Sequence, residues 1–248
     1  MRASILQNII EIQKEAAKIS AIQFGRDGTL NWVLNSGGRW PNSIIGTAEP
    51  KQIPETMSKI DQQLLPPIWI MEKEAAVHQI EQLERNGFRE INRWEGMWLN
   101  QNRYIRLTKV PDHYTLIEVQ TSDLLNQWWS IVKPVMMPNR EIPSELLKAW
   151  GVRNEYQLLI GQINGKPVSA GMAYLNNGIA GLYFIATLPE YRRRGYALLL
   201  IHRLVESSFE RGANEIVLHS SADGQHLYRN VGFTAEGIIS TYWKVGLF

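Results

Sequence analysis

The sequence predicts a mixed α/β protein of the α+β kind, with a mostly antiparallel sheet flanked by helices and two domains. Three observations carry that expectation. Strand-like runs at 156–163, 167–175 and 179–187 are separated by Asn164-Gly165 and Asn176-Asn177-Gly178, the turn residues of tight hairpins. Elsewhere, stretches with helical spacing alternate with single short apolar runs. Finally, 248 residues that are 44% apolar and 20% charged suffice for one large or two small globular domains.

The elements follow in order. Ile5, Ile9, Ile10, Ile12 and Ile19, interleaved with Glu11, Lys14, Glu15 and Lys18, predict an amphipathic N-terminal helix. Gly25 to Gly28 reads as a turn, and Leu30 to Leu34 as a strand closed by Ser36-Gly37-Gly38. Trp40 to Gly46 turns into a second strand. Pro54 to Leu65 reads as a helix stopped by Pro66-Pro67, and Ile68 to Met71 as a buried strand. Glu74 to Arg85 is helical, with Ala75, Val77, Ile80 and Leu83 as its apolar face. Asn86-Gly87 ends it, and Phe88 to Leu99 is a strand. The polar stretch Asn100 to Pro111 sets a domain boundary, giving domains 1–110 and 111–248. Tyr114 to Val119 is a strand, Ser122 an N-cap for a helix broken at Pro134, and Ser144 to Trp150 a further helix. After the three-strand meander come a helix from about Ala197 to Glu210, a strand Glu215 to His219, a short helix Gly224 to Asn230, and a closing hairpin Phe233 to Val245. Leu83 to Phe88 echoes Leu227 to Phe233, each reading as a helix that passes through glycine and phenylalanine into a strand.

Composition narrows the function classes. The net charge of +2 does not suggest a nucleic-acid binder. No cysteine is present, which excludes disulfides, thiolate metal sites and a cysteine nucleophile. The five histidines have no metal-ligand spacing, so no metal is expected. No apolar run reaches bilayer-spanning length and no signal-peptide core appears, so the expected location is cytoplasmic and away from membranes.

The stretch that points to chemistry is Tyr191-Arg192-Arg193-Arg194-Gly195-Tyr196-Ala197. It joins an apolar strand and Pro189 to a leucine-rich helix. The first N–H groups of a helix and its dipole favour a bound phosphate, and glycine permits close backbone approach, so this turn reads as a pyrophosphate site. Alone, it reads equally as a solvated basic helix start. Context adds Leu227-Tyr228-Arg229-Asn230-Val231-Gly232-Phe233, one strand further on.

With Ile185 to Ala197 and Leu227 to Phe233 in this order and setting, the sequence resembles the GNAT superfamily of N-acyltransferases, from about residue 111 onward. The whole chain is similar, more loosely, to a two-domain subgroup whose N-terminal half is a divergent, degenerate GNAT-like domain; Trp40-Pro41-Asn42 and Gly87-Phe88 to Gly96-Met97 carry that likeness. The resemblance implies an acetyl-CoA-dependent (or other acyl-CoA-dependent) N-acetyltransferase acting by direct transfer to an amine. Pantetheine would pair with the backbone of Ile185, Ala186 and Thr187. Pyrophosphate would rest on N–H groups from Arg193 through Gly195 and Tyr196 to Ala197, with charge from Arg192 and Arg194. Ser221 stands where the family often has a cofactor-binding asparagine. Tyr228 would be the general acid for the leaving thiolate. Arg193 stands where the family often has glycine.

The general base is open among Glu141, Glu145, Glu155 and His219 by type alone. Trp40, Trp94, Trp98, Trp128 and Trp129 line an acceptor cleft or fill cores. A catalytically silent acyl-CoA-binding or partner-binding protein is the alternative. No residue pattern specifies the acceptor or an oligomeric state.

Overall fold

The computed structural model describes residues 3–35, 39–107 and 110–247. The turn expected at Ser36-Gly37-Gly38 lies outside the described residues. The chain forms two compact units, one of Met1–Met97, His219–Ala222 and Ala235–Phe248, the other of Trp98–Leu218 and Asp223–Thr234.

The first unit begins with helix α1 (Ala3–Ile19), whose Ile5, Ile9, Ile10 and Ile12 are buried as their spacing predicts. Strands β1 (Gln23–Asp27) and β2 (Leu30–Leu34) form an antiparallel hairpin. The sequence expectation of a bare turn at Gly25–Gly28 is corrected here. Only Gly28 turns, at φ +58°, while Gly25 is a strand residue lying under the Trp32 ring, where a Cβ would collide with the indole. Strands β3 (Ser43–Ile45) and β4 (Ile68–Glu72) and helices α2 (Ile53–Asp61) and α3 (Val77–Arg85) follow. Leu83 is buried on α3, but Val77 is 59% exposed and is not part of its apolar face. Strand β5 (Phe88–Asn100) closes this half of the sequence. The expected final hairpin is instead one strand, β11 (Thr234–Lys244), with Gly237 at φ +85° inside it. The strand order is β1-β2-β3-β4-β11-β5, so β11 lies between β4 and β5. Tyr242 of β11 is buried in one core with Ile44, Trp69 and Phe88.

In the second unit, β6 (Tyr114–Glu118), β7 (Tyr156–Ile163), β8 (Lys166–Asn176) and β9 (Ile179–Thr187) are successively antiparallel, and β10 (Glu215–Ser220) is parallel to β9. Asn164-Gly165 and Asn177-Gly178 all have positive φ, so both predicted hairpin turns form. Helices α4 (Ser122–Met136) and α5 (Ser144–Trp150) precede β7; α6 (Tyr196–Glu210) and α7 (Gln225–Val231) follow β9 and β10. The N-cap of α4 is Thr121, not Ser122: the Thr121 Oγ1 accepts from Leu124 N at 3.3 Å. Pro134 sits in the last turn of α4 without ending it. Among the described residues no helix is long and apolar enough to cross a membrane.

Candidate active site

The site is built on an irregularity in β9. Met172 pairs with Tyr183 and Ala170 with Ala186, so Gly171 alone faces both Phe184 and Ile185. This is a β-bulge, and Phe184 takes the left-handed conformation at φ +54°, which is rare for a bulky residue. Two features hold it. The Trp128 indole Nε1 donates to the Gly171 carbonyl at 3.0 Å, and the Phe184 ring packs on Trp128 and Trp150 at 5.9 and 5.4 Å. A Cβ at Gly171 would lie 2.7 Å from Ile185 Cδ1 and 3.0 Å from Leu200 Cδ2, so a larger residue there would have to push those side-chain ends aside. Sequence reasoning missed Phe184, Gly171 and the role of Trp128. The readable signal was a glycine in the middle of a strand, which often marks a bulge.

On its other side β9 pairs with β10 only at Ile179, Ala180 and Gly181, opposite Glu215, Ile216 and Val217. The ladder between the two strands ends at Gly181. The bulge explains the parting, because it bends and twists one strand away from its neighbour. Ile185, Ala186 and Thr187 therefore present backbone groups along this edge, toward the turn.

The turn begins as a 3₁₀ segment, Pro189–Tyr191. Arg193 adopts φ +61° and Gly195, the N-cap of α6, φ +84°. Gly195 offers no capping side chain, and a Cβ there would meet nothing within 4 Å, so space is open over the turn. The first N–H groups of α6, including Tyr196 and Ala197, are left for a ligand or solvent. This geometry fits an anionic diphosphate. The arginines are used unevenly. Arg192 Nε donates to the Thr187 carbonyl at 3.1 Å, tying the turn to the strand end. The Arg194 guanidinium stands 5.7 Å over the Tyr191 ring, and Lys166 Nζ 5.3 Å from the same ring. Arg193 and Arg194 are exposed. Tyr196 is buried and stacked on Tyr114 at 5.3 Å, so its ring is core and only its N–H faces the turn.

Tyr228 lies on α7, which packs against α6. The residue is half-buried, its ring edge-on to Phe233 at 5.8 Å. Desolvation raises the phenol above its ordinary pKa, so it holds its proton throughout the neutral range. Ser221 follows β10 in an exposed turn, and its carbonyl accepts from Ser220 Oγ at 2.9 Å.

The candidate bases are arranged differently. Glu141 is paired with Lys133 at 2.5 Å and Glu155 with Arg153 at 2.8 Å. Glu145 is exposed beside the Ser144 hydroxyl, 3.2 Å away. Burial lowers the His219 imidazole to about 4, so it is neutral at pH 7; its ring lies 4.9 Å from Trp94. Asn42 Oδ1 accepts from Asn35 N at 3.0 Å and is buried, a structural duty in the loop before β3. Trp128 is fully buried, and Trp98 packs under Arg103 at 5.1 Å.

Residues 121–233 match the model of the acetyltransferase (GNAT) family. Three solved structures share the fold across most of the chain. A GCN5-related N-acetyltransferase from Kribbella flavida is 16% identical, covering 98% of this chain and 96% of that one, with a TM-score of 0.77. A conserved protein of unknown function from Staphylococcus epidermidis is 12% identical over 89% and 92%, with a TM-score of 0.67. A GCN5-related N-acetyltransferase from Sphaerobacter thermophilus is 14% identical over 88% and 81%, at 0.62. No curated protein matches the sequence. The bulged strand and the left-handed turn both lie within residues 121–233, the part of the chain that matches the GNAT acetyltransferase family.

Proposed function

We propose that this protein is an N-acetyltransferase that moves the acetyl group of acetyl-CoA to an amine. The observation that carries the reading is the edge of β9 beyond the end of its ladder with β10, which runs past the bulge at Phe184 through Ile185, Ala186 and Thr187 toward the uncapped N-terminus of α6. An extended amide chain adds to such an edge as a strand does, and a diphosphate suits such a helix start. In this reading the pantetheine amides pair with backbone of Ile185, Ala186 and Thr187. The pyrophosphate accepts N–H bonds from Arg193 to Ala197, under the charge of Arg193 and Arg194. Residues 111–248 supply the transfer chemistry, and residues 1–110 form a divergent domain.

The chemistry then needs few groups. A neutral amine attacks the thioester carbonyl, and a backbone N–H near Ile185 donates a hydrogen bond to the developing oxyanion. Collapse breaks the C–S bond and expels the thiolate. Tyr228 donates its proton to that sulfur, and the extra proton of the acylated nitrogen passes through water to restore the phenol; a phenol that stays protonated at neutral pH is suited to this role.

Calorimetric titration with acetyl-CoA tests the reading directly: micromolar binding that disappears when Gly195 is replaced by a bulky residue supports it, and absence of binding ends it. Binding without thiol release across a panel of amines would favour a catalytically silent acyl-CoA-binding protein instead.

A further inference from the structure

The second unit holds another cavity, remote from the turn. Leu175 pairs with Ala180 and Tyr156 with Tyr174, which puts the cavity at the starting end of β9, while the turn follows its final residue, Thr187. Arg211, which lines the cavity, caps the C-terminal end of α6, and Gly195 caps the other end. The 15 residues of α6 therefore separate the two places by about 22 Å.

The cavity has a volume of about 430 Å³, the size of a small-metabolite site. Trp150, Tyr156 and Leu158 close its base and are almost wholly buried, so the apolar surface it offers comes from half-buried Leu175 and exposed Val152. Its rim carries both signs of charge, with Arg153 and Arg211 against Glu118. Arg153 is already paired with Glu155. Arg211 donates one N–H to the Asn154 carbonyl, which fixes the guanidinium in place and leaves it other donors. Glu118 ends β6 and is exposed. The C-terminal carbonyls of α5 also lie here, at Trp150 and Gly151, and favour a positive group.

We infer that this cavity is a second binding site, one that takes a free α-amino acid with an apolar side chain. Such a molecule presents three groups: a carboxylate for Arg211, an ammonium for Glu118 and the α5 carbonyls, and an apolar body for Val152 and Leu175. A simple anion leaves Glu118 opposed to it, and a simple cation meets two guanidiniums. Occupancy also has a route to the active site, because Trp150 packs on Phe184, the residue at the centre of the bulge.

The test is calorimetric titration of the whole chain with L-phenylalanine, and separately with phenylacetate and phenethylamine, which lack one charge each. The expected result is saturable binding of the amino acid, weakened about tenfold or more in either analogue. Arg211→Met should weaken L-phenylalanine about tenfold while leaving phenethylamine unchanged. Because Arg211 also holds Asn154, Glu118→Gln is the companion variant; Glu118 is exposed, so the fold tolerates it, and L-phenylalanine should weaken while phenylacetate tightens. The inference is overturned by no binding up to about 10 mM, by an analogue that binds as well as the amino acid, or by affinities that neither variant moves. Acetyl-CoA titrated on the same samples is an independent readout, so loss of one binding event leaves the other assignment standing.

Discussion

Single residues decide the local chemistry. Tyr228 keeps its proton because its surroundings disfavour the phenolate. Tyr228→Phe should therefore lower turnover about 10- to 100-fold with acetyl-CoA affinity unchanged; equal loss in both would assign Tyr228 to binding. Since the raised pKa keeps the acid form beyond the ordinary phenol value of about 10, no alkaline fall in rate should come from this group below that pH. Arg193 holds φ +61°, a conformation glycine adopts without penalty, so Arg193→Gly should raise stability by about 1 kcal/mol in thermal melts. His219 behaves as a desolvated base. Its folded pKa of about 4 lies below the unfolded value of about 6.5, so its contribution to stability is complete above pH 6.5 and is lost as pH falls toward 4. His202, buried and also lowered by desolvation, adds to the same trend. Unfolding free energies from urea titrations at pH 7 and pH 5 should differ by about 1–3 kcal/mol, and His219→Phe should shrink that difference.

At the level of the element, β9 is where the sequence was least legible. Its existence, length and both flanking turns were written in apolar runs and Asn-Gly pairs. The bulge was not, because nothing in Phe184 advertises a left-handed backbone; the conformation is imposed by Trp128, Trp150 and the absent side chain of Gly171. The basic turn was legible for the opposite reason, since a glycine before a leucine-rich helix carries its own backbone logic. Its arginines were only half-read: Arg192 braces the Thr187 carbonyl, a use no sequence spacing reveals. Trp128→Phe keeps most of the packing but deprives the buried Gly171 carbonyl of its donor. It should cost about 1–3 kcal/mol in stability and weaken acetyl-CoA binding, by relaxing the bulge. A variant that melts earlier yet binds acetyl-CoA normally would separate the bulge from the site.

Over the whole molecule, the order of elements was well predicted, and the errors share one cause. Gly25–Gly28 reads as a turn and Phe233–Val245 as a hairpin, yet Gly25 and Gly237 each lie inside a strand, β1 paired with its neighbour β2 and β11 between β4 and β5. Sequence spacing cannot distinguish a glycine that reverses the chain from one that lets another group come close. The echo between Leu83–Phe88 and Leu227–Phe233 proves to be two helices, each ended by a left-handed glycine, that send β5 and β11 into the same sheet. There β11 occupies the place between β4 and β5. During synthesis, then, β4 and β5 leave the ribosome long before the strand that joins them exists. The first unit cannot complete its sheet or bury Tyr242 until β11 has followed β5 off the ribosome, so the nascent chain carries open strand edges on β4 and β5 through that interval. Slower elongation lengthens the time those edges stay open to pairing with other chains.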